Sequence, residues 1–150
     1  LIIDTSNLTV HELRGVFVRM AQDDRPRTEM VVNLVSFGFK QGPPLDADLV
    51  FDVRCLPNPH FVDRLRPLTG RDPKVVGFMR RHAGTREFID RLTAFLNFAL
   101  PQYVQEGKSY LTVAIGCTGG QHRSVMVAEA LKKSLAGAKN VRLRVKHRDS

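Results

Sequence analysis

The sequence contains no tryptophan, only two cysteines, and 15 acidic residues against 23 lysines and arginines. Cys55 and Cys117 lie far apart and form no CxxC pair. That argues against a thiolate zinc site and a disulfide framework, so no metal is expected, and it fits a reducing compartment. No apolar run approaches the length of a bilayer span, and the longest charge-free stretch near a helix, residues 92–105, is interrupted by Asn97 and Pro101. Signal-peptide patterning, internal repeats and low-complexity tracts are lacking as well. A cytoplasmic location without membrane contact is the expectation. The shortage of acids leaves a formal net charge of +8 and a pI near 10.1, which favours acidic partners such as nucleic acid, a phosphorylated metabolite or an anionic surface. With 150 residues and 43% hydrophobic composition, the chain has enough apolar material for one domain with a real core.

What is present is concentrated in one stretch, Gly116-Cys-Thr-Gly-Gly-Gln-His-Arg-Ser124. An apolar run, residues 110–115, precedes it, and a segment of helical periodicity, residues 125–131, follows. Strand, glycine-rich turn and helix is the order that builds an anion site. Gly119 and Gly120 permit a tight turn, the helix N-terminus supplies unpaired N–H donors, and Arg123 can hold a phosphate with two hydrogen bonds. A bare Gly-Gly turn more often only closes a strand–helix connection, and Cys117 alone reads as a small buried residue. The crowding of Thr118, His122, Arg123 and Ser124 at one helix start favours a phosphate.

Along the chain, residues 1–4 read as the end of a strand and Thr9 with Glu12 as a capping box opening a helix. Residues 23–27 read as a linker. We therefore expect residues 1–27 to be the tail of a missing N-terminal domain and residues 28–150 to form a C-terminal domain. Residues 30–36 form a β-branched strand whose following loop carries Lys40. A second strand near 48–54 ends with Asp52 and Arg54, followed by Asn58 and His60 in a proline-braced loop. These four side chains either face one cleft or, for Asp52 and Arg54, pair with each other. Residues 74–82 suggest a short helix. A longer helix from Gly84 carries an apolar stripe that Pro101 ends or kinks. Glu106-Gly107-Lys108 then turns the chain into the central strand. Val125, Ala128, Leu131 and Leu135 define an amphipathic helix that Gly137 is placed to stop. Residues 141–145 alternate as an edge strand does, and Arg142, Arg144, Lys146, His147 and Arg148 make its end basic, either as a solvated tail or as a nucleic-acid contact. The expected fold is α/β, a small, mostly parallel sheet flanked by helices. Strands are placed near 30–36, 48–54, 110–116 and 141–146, with the ligand site at their C-terminal edge.

The segments SFGFKQGPPLDADLVFDVRCLPNPH, LRPLTG and SYLTVAIGCTGGQHRSVMVAEAL resemble the C-terminal domain of the RapZ family, also called RNase adapters or P-loop nucleotide-binding proteins. The likeness covers about residues 30–148, and LIIDTSNLTVHELR is similar to the end of that family's N-terminal domain. It implies a two-domain protein whose N-terminal P-loop domain binds ATP or GTP. No GxxxxGK[ST] occurs in this sequence, so no such cofactor is expected for these residues. For the C-terminal domain it implies binding of regulatory RNA and of an amino-sugar phosphate, glucosamine-6-phosphate. A ribonuclease or regulatory protein is a further implied partner. The ligand-binding positions that carry over are Lys40, Asp52, Arg54, His60, Cys117, Thr118, Gly119, His122 and Arg123, with Gly120 added by the turn itself. A homo-oligomer is expected from tandem use of a basic surface.

An enzymatic alternative comes from spacing alone. Cys117 and Arg123 followed by Ser124 reproduce the C-x5-R-S arrangement of cysteine-dependent phosphatases, in which a thiolate attacks phosphorus while loop amides and the arginine hold the phosphoryl oxygens. Asp52 or Asp63 would be the acid. Gly116 stands where such enzymes usually carry a histidine, and the binding reading is preferred, with no catalysis expected of this fragment.

Overall fold

The computed structural model describes residues 29–150. The expected strand end, the Thr9–Glu12 capping box and the linker lie outside the described residues. The elements run β1 (Met30–Gly38), a 3-10 turn (Phe39–Gln41), β2 (Leu49–Asp52), a second 3-10 turn (Pro59–Phe61), α1 (Pro73–Arg80), α2 (Ala83–Glu106), β3 (Tyr110–Cys117), α3 (Arg123–Ser134) and β4 (Val141–His147). The four strands form one sheet in the order β2-β3-β1-β4, with every pairing parallel. Helices make the return from β2 to β3 and from β3 to β4. The return from β1 to β2 uses only residues 39–48, whose Pro44 and Asp46 lie with Asn33, Val35 and Thr112 of the sheet.

Alternation within each strand decides its faces. Val32 and Leu34 of β1 and Leu111, Val113 and Ile115 of β3 are fully buried, and they join Leu92, Leu96 and Leu100 of α2 and Met126 and Leu131 of α3 in one core. On edge strand β4, Val141, Leu143 and Val145 pack against this core while Arg142, Arg144 and Lys146 are exposed. The expected alternation is therefore present.

Three local expectations are corrected. α2 does not end at Pro101 but continues to Glu106. Proline removes the N–H that Asn97 would receive, yet both residues are exposed, so water can satisfy that carbonyl. α3 is not amphipathic through its first two turns: besides Val125, Ala128 and Leu131 it buries Arg123, Ser124, Met126, Val127 and Ala130, because sheet and helices meet it from several sides. It ends at Leu135, ahead of Gly137.

The tolerated proline still carries its cost. Pro101→Ala should stabilise the fold by about 1–2 kcal/mol, the interior-proline penalty less the entropy proline removes from the unfolded chain. Urea unfolding checks this, and a lowered midpoint would mean that the ring packs favourably.

Candidate functional site

Because all strands run the same way, their C-terminal ends open on one edge, with Gly38 opposite Cys117 and Asp52 opposite Gly116. β3 hands over to α3 through residues 118–122. Gly120 has φ +80°, and a Cβ there would stand 2.7 Å from the Gly38 nitrogen and 2.9 Å from the Phe37 carbonyl carbon, so only glycine fits. Its N–H donates to Cys117 Sγ at 3.3 Å, and that sulfur pairs with Ser124 Oγ at 3.1 Å. The N–H groups of Gly119, Gln121 and His122 have no hydrogen-bond acceptor among the described residues. α3 starts immediately afterwards without a side-chain cap. Three donors without an acceptor among the described residues therefore lie at or just before a helix N-terminus.

These donors border a cleft of about 520 Å³. The loop contributes Cys117, Thr118, Gly119, Gln121, His122 and Arg123; the turn after β1 contributes Lys40; the second turn contributes Asn58, His60 and Phe61. Asn58 caps its own turn by accepting the His60 N–H at 3.1 Å, and the Lys40 N–H donates to the Thr118 carbonyl at 3.1 Å. Among the described residues, no carboxylate lines the cleft.

The buried Arg123 guanidinium is partly committed to the protein. Nη1 donates to the carbonyls of Arg54 at 2.6 Å and Leu56 at 3.3 Å, and Nη2 to Thr118 Oγ1 at 3.2 Å. It ties the exit from β2 to the glycine loop while also lining the cleft. His122 Nε2 donates to the carbonyls of Leu65 and Arg66, each at 3.2 Å, which assigns the proton to that nitrogen. Burial pushes its pKa below the ordinary histidine value, these carbonyls oppose the shift, and neighbouring His60 adds to the lowering. Gln121 Nε2 donates to the carbonyls of Arg66 and Leu68, and its own carbonyl accepts from Gly70. The segment 65–70 is thus pinned to the loop.

Of the expected ligand residues, Lys40, His60, Cys117, Thr118, Gly119, His122 and Arg123 come together around the cleft. Gly120 shapes the loop from behind. Asp52 and Arg54 stand outside the cleft wall and pair with each other, Arg54 donating from Nε, Nη2 and its backbone N–H. The Arg54 hydrogen bond holds the Asp52 carboxyl below its usual range, and the Arg54 guanidinium lies 4.0 Å from the Phe39 ring centroid. Arg54 reaches the site only through its carbonyl. Asp63, the other acid considered, pairs with Arg66. Among the basic C-terminal residues, Arg142, Arg144 and Lys146 are exposed, whereas His147 and Arg148 turn into the fold.

Sequence reasoning missed two lining residues, Gln121 and Phe61, and a basic lobe. Gln121 was legible in principle, because it sits inside the loop itself; exposed Phe61 gave no signal. Arg64, Arg66, Arg71, Lys74, Arg80, Arg81 and Arg86 meet one acid, Asp72, across residues 64–86. Windowed charge would have shown this. Arg64, Lys74 and Arg81 border a second cleft of about 440 Å³ beside α1. Among the described residues no group of three His, Cys, Asp or Glu could hold a metal, and no helix is long and apolar enough to cross a membrane.

A parallel α/β domain with a cleft at the strand ends is the class these features define. Residues 30–150 match the family model described as the RapZ C-terminal domain, and the chain belongs to that family. It is similar to a protein named nucleotide-binding protein from Acidobacterium capsulatum, 56% identical over 149 residues covering 99% of this chain and 48% of the relative. A protein of the same description from Koribacter versatilis is 55% identical over 152 residues, covering 100% of this chain and 49% of the relative. Another from Brevibacillus brevis is 49% identical over 148 residues, covering 99% and 49%. The chain spans about half the length of these curated relatives.

The depressed His122 pKa has a stability consequence. Above the ordinary histidine value of 6.5 the ring is neutral in both states and its contribution is intact. As pH falls below that value the unfolded chain takes up a proton that the fold resists, so stability declines toward the lowered folded pKa. Urea midpoints at about pH 8 and about pH 5.5 should differ more in the wild type than in His122→Gln. Equal pH dependence in both would contradict the assignment.

Proposed function

We propose that this domain is a regulatory binding module, taking an amino-sugar phosphate such as glucosamine-6-phosphate in the cleft and RNA on its basic surface. The observation that carries the reading is the convergence of Lys40, His60, Arg123 and a loop with unpaired N–H groups on one cleft that, among the described residues, no carboxylate lines. Backbone donors at a helix start suit the phosphoryl oxygens, and Lys40 adds charge. Phe61 offers an apolar surface to a sugar ring. The RNA part is supported by net charge and its placement, on the 64–86 lobe and on Arg142, Arg144 and Lys146 of β4. An adapter role toward a ribonuclease or regulatory protein, and a homo-oligomer, belong to the same proposal. So does an intracellular setting. The relatives are named for nucleotide binding; without a GxxxxGK[ST] in this sequence, the reading for these residues uses no ATP or GTP.

One observation favours a second reading as phosphatase. Gly120 N–H donates to Cys117 Sγ and Ser124 Oγ lies 3.1 Å from it, within the C-x5-R-S spacing of such enzymes. Against it, Cys117 is buried, only 2% exposed as a residue, and Arg123 is held by backbone carbonyls. Under the binding reading, wild-type protein leaves an aryl phosphate unhydrolysed. Turnover that disappears in Cys117→Ser would establish the enzyme instead.

For the cleft, Lys40→Ala should weaken glucosamine-6-phosphate about tenfold, as loss of a charge-assisted contact does, while leaving the melting temperature unchanged because Lys40 is exposed. Calorimetry showing equal affinity would remove the site. For RNA, gel-shift affinity should fall steeply with salt. Replacing Arg142, Arg144 and Lys146 with alanine together should flatten that slope, and replacing Arg64, Lys74 and Arg81 should do so as well. Binding that ignores salt would end the RNA reading.

A further inference from the structure

The last residues of the sequence form a clamp on the end of β1. His147 shares a 2.7 Å hydrogen bond between Nδ1 and Ser36 Oγ, and its Nε2 meets Glu129 of α3 at 2.8 Å. The Arg148 N–H donates to the Ser36 carbonyl at 3.0 Å, and its guanidinium to the Gly42 carbonyl and the Asp149 carboxylate. Asp149 Oδ2 accepts the Gly38 N–H at 2.8 Å. Thus the three residues hold both ends of the turn that presents Lys40.

Gly38 is the point where this clamp meets the anion loop. A Cβ on Gly38 would stand 2.6 Å from the Gly119 carbonyl carbon and 2.8 Å from its oxygen. A Cβ on Gly120 would stand 2.7 Å from the Gly38 nitrogen and 3.0 Å from Asp149 Cβ. The end of β1 and the glycine loop therefore meet backbone to backbone, and the Asp149 side chain closes on the same point. Asp149 is absent from the cleft wall, and its side chain is 13% exposed. Its charge is opposed at once by the Arg148 fork, with Nη2 at 2.9 Å and Nε at 3.2 Å, so a carboxylate can sit behind an anion site without repelling its ligand.

We propose that Asp149 is a positioning residue for the anion cleft, fixing Gly38 and through it the Gly119–Gly120 turn and Lys40 while touching no ligand itself. The proposal rests on the reading of the cleft as a phosphate site. It separates the basic C-terminal end into two parts: Arg142, Arg144 and Lys146 face outward, and His147-Arg148-Asp149 serves the small-anion site.

The test uses inorganic phosphate and glucosamine-6-phosphate as probes on the 150-residue chain. Asp149→Ala leaves the Gly38 N–H without its acceptor and should weaken both about tenfold in calorimetry. Asp149→Asn keeps an oxygen for that N–H and should recover affinity to within about threefold of wild type. In the wild type, the Asp149 carboxyl-carbon NMR signal should move in step with saturation of the cleft, a readout that needs no variant to fold. If neither probe binds wild-type protein, the phosphate reading itself fails and the proposal falls with it. If the probes bind but Asp149→Ala stays within twofold of wild type, or the carboxyl signal is unmoved at saturation, only the positioning role is overturned.

Discussion

The close approach of Gly38 to Gly119 and Gly120 is the constraint on which the rest of the site depends. It brings the end of β1 against the loop after β3, and parallel pairing delivers both to the same sheet edge. With a side chain at Gly38 or Gly120, the loop would lift off the strand, and the distance between Lys40 and the loop would grow. The carbonyl and amide groups around this contact are used economically. Gly120 N–H turns back to Cys117, Lys40 N–H closes on Thr118, and the amides of Gly119, Gln121 and His122 have no acceptor among the described residues. The site is thus made chiefly of backbone, and its side chains fix where that backbone lies.

That division explains what was legible in the sequence. The four strands stand close to where β-branched runs and alternation place them, and the loop at 116–124 announced itself through glycine and polar crowding between a strand and a helix. The failures share another cause, partners remote in sequence. α3 looked amphipathic because its own periodicity says nothing about α1 and α2 closing over it. Pro101 read as an end or a kink, and the end was not ruled out because the exposure of Asn97 is a tertiary fact. Asp52 and Arg54 satisfy each other two residues apart, an option the sequence left open, and the geometry of the strand exit selected it. Asp149 could not be found at all, since its acceptor role lies 111 residues from its donor.

Arg123 shows why residue type and spacing alone do not define a role. The C-x5-R-S pattern suggests a guanidinium reserved for a phosphoryl group. Here the same group holds two carbonyls from the β2 exit and the Thr118 hydroxyl, so removing it would orphan buried acceptors as well as a ligand contact. An affinity loss in an Arg123 variant would therefore mix two effects, whereas exposed Lys40 reports the cleft with little disturbance of the fold.

Charge adds the final step. Residues 64–86 hold a dense positive lobe, and Gln121, His122 and Gly70 staple its first turn to the anion loop. Positive potential around a cleft with no carboxylate raises the local concentration of any anion, whatever its chemistry. Under the proposed function, selectivity would come from short-range geometry: a compact phosphate would enter the cleft between Lys40, His60 and Arg123, while the phosphates of a nucleic-acid backbone would meet exposed side chains. A large polyanion and a small one can in this way share a field without sharing contacts. Under the proposed function the two would be coupled through this staple, because a ligand that tightened the loop would also hold the carbonyls of Leu65, Arg66 and Leu68 in place.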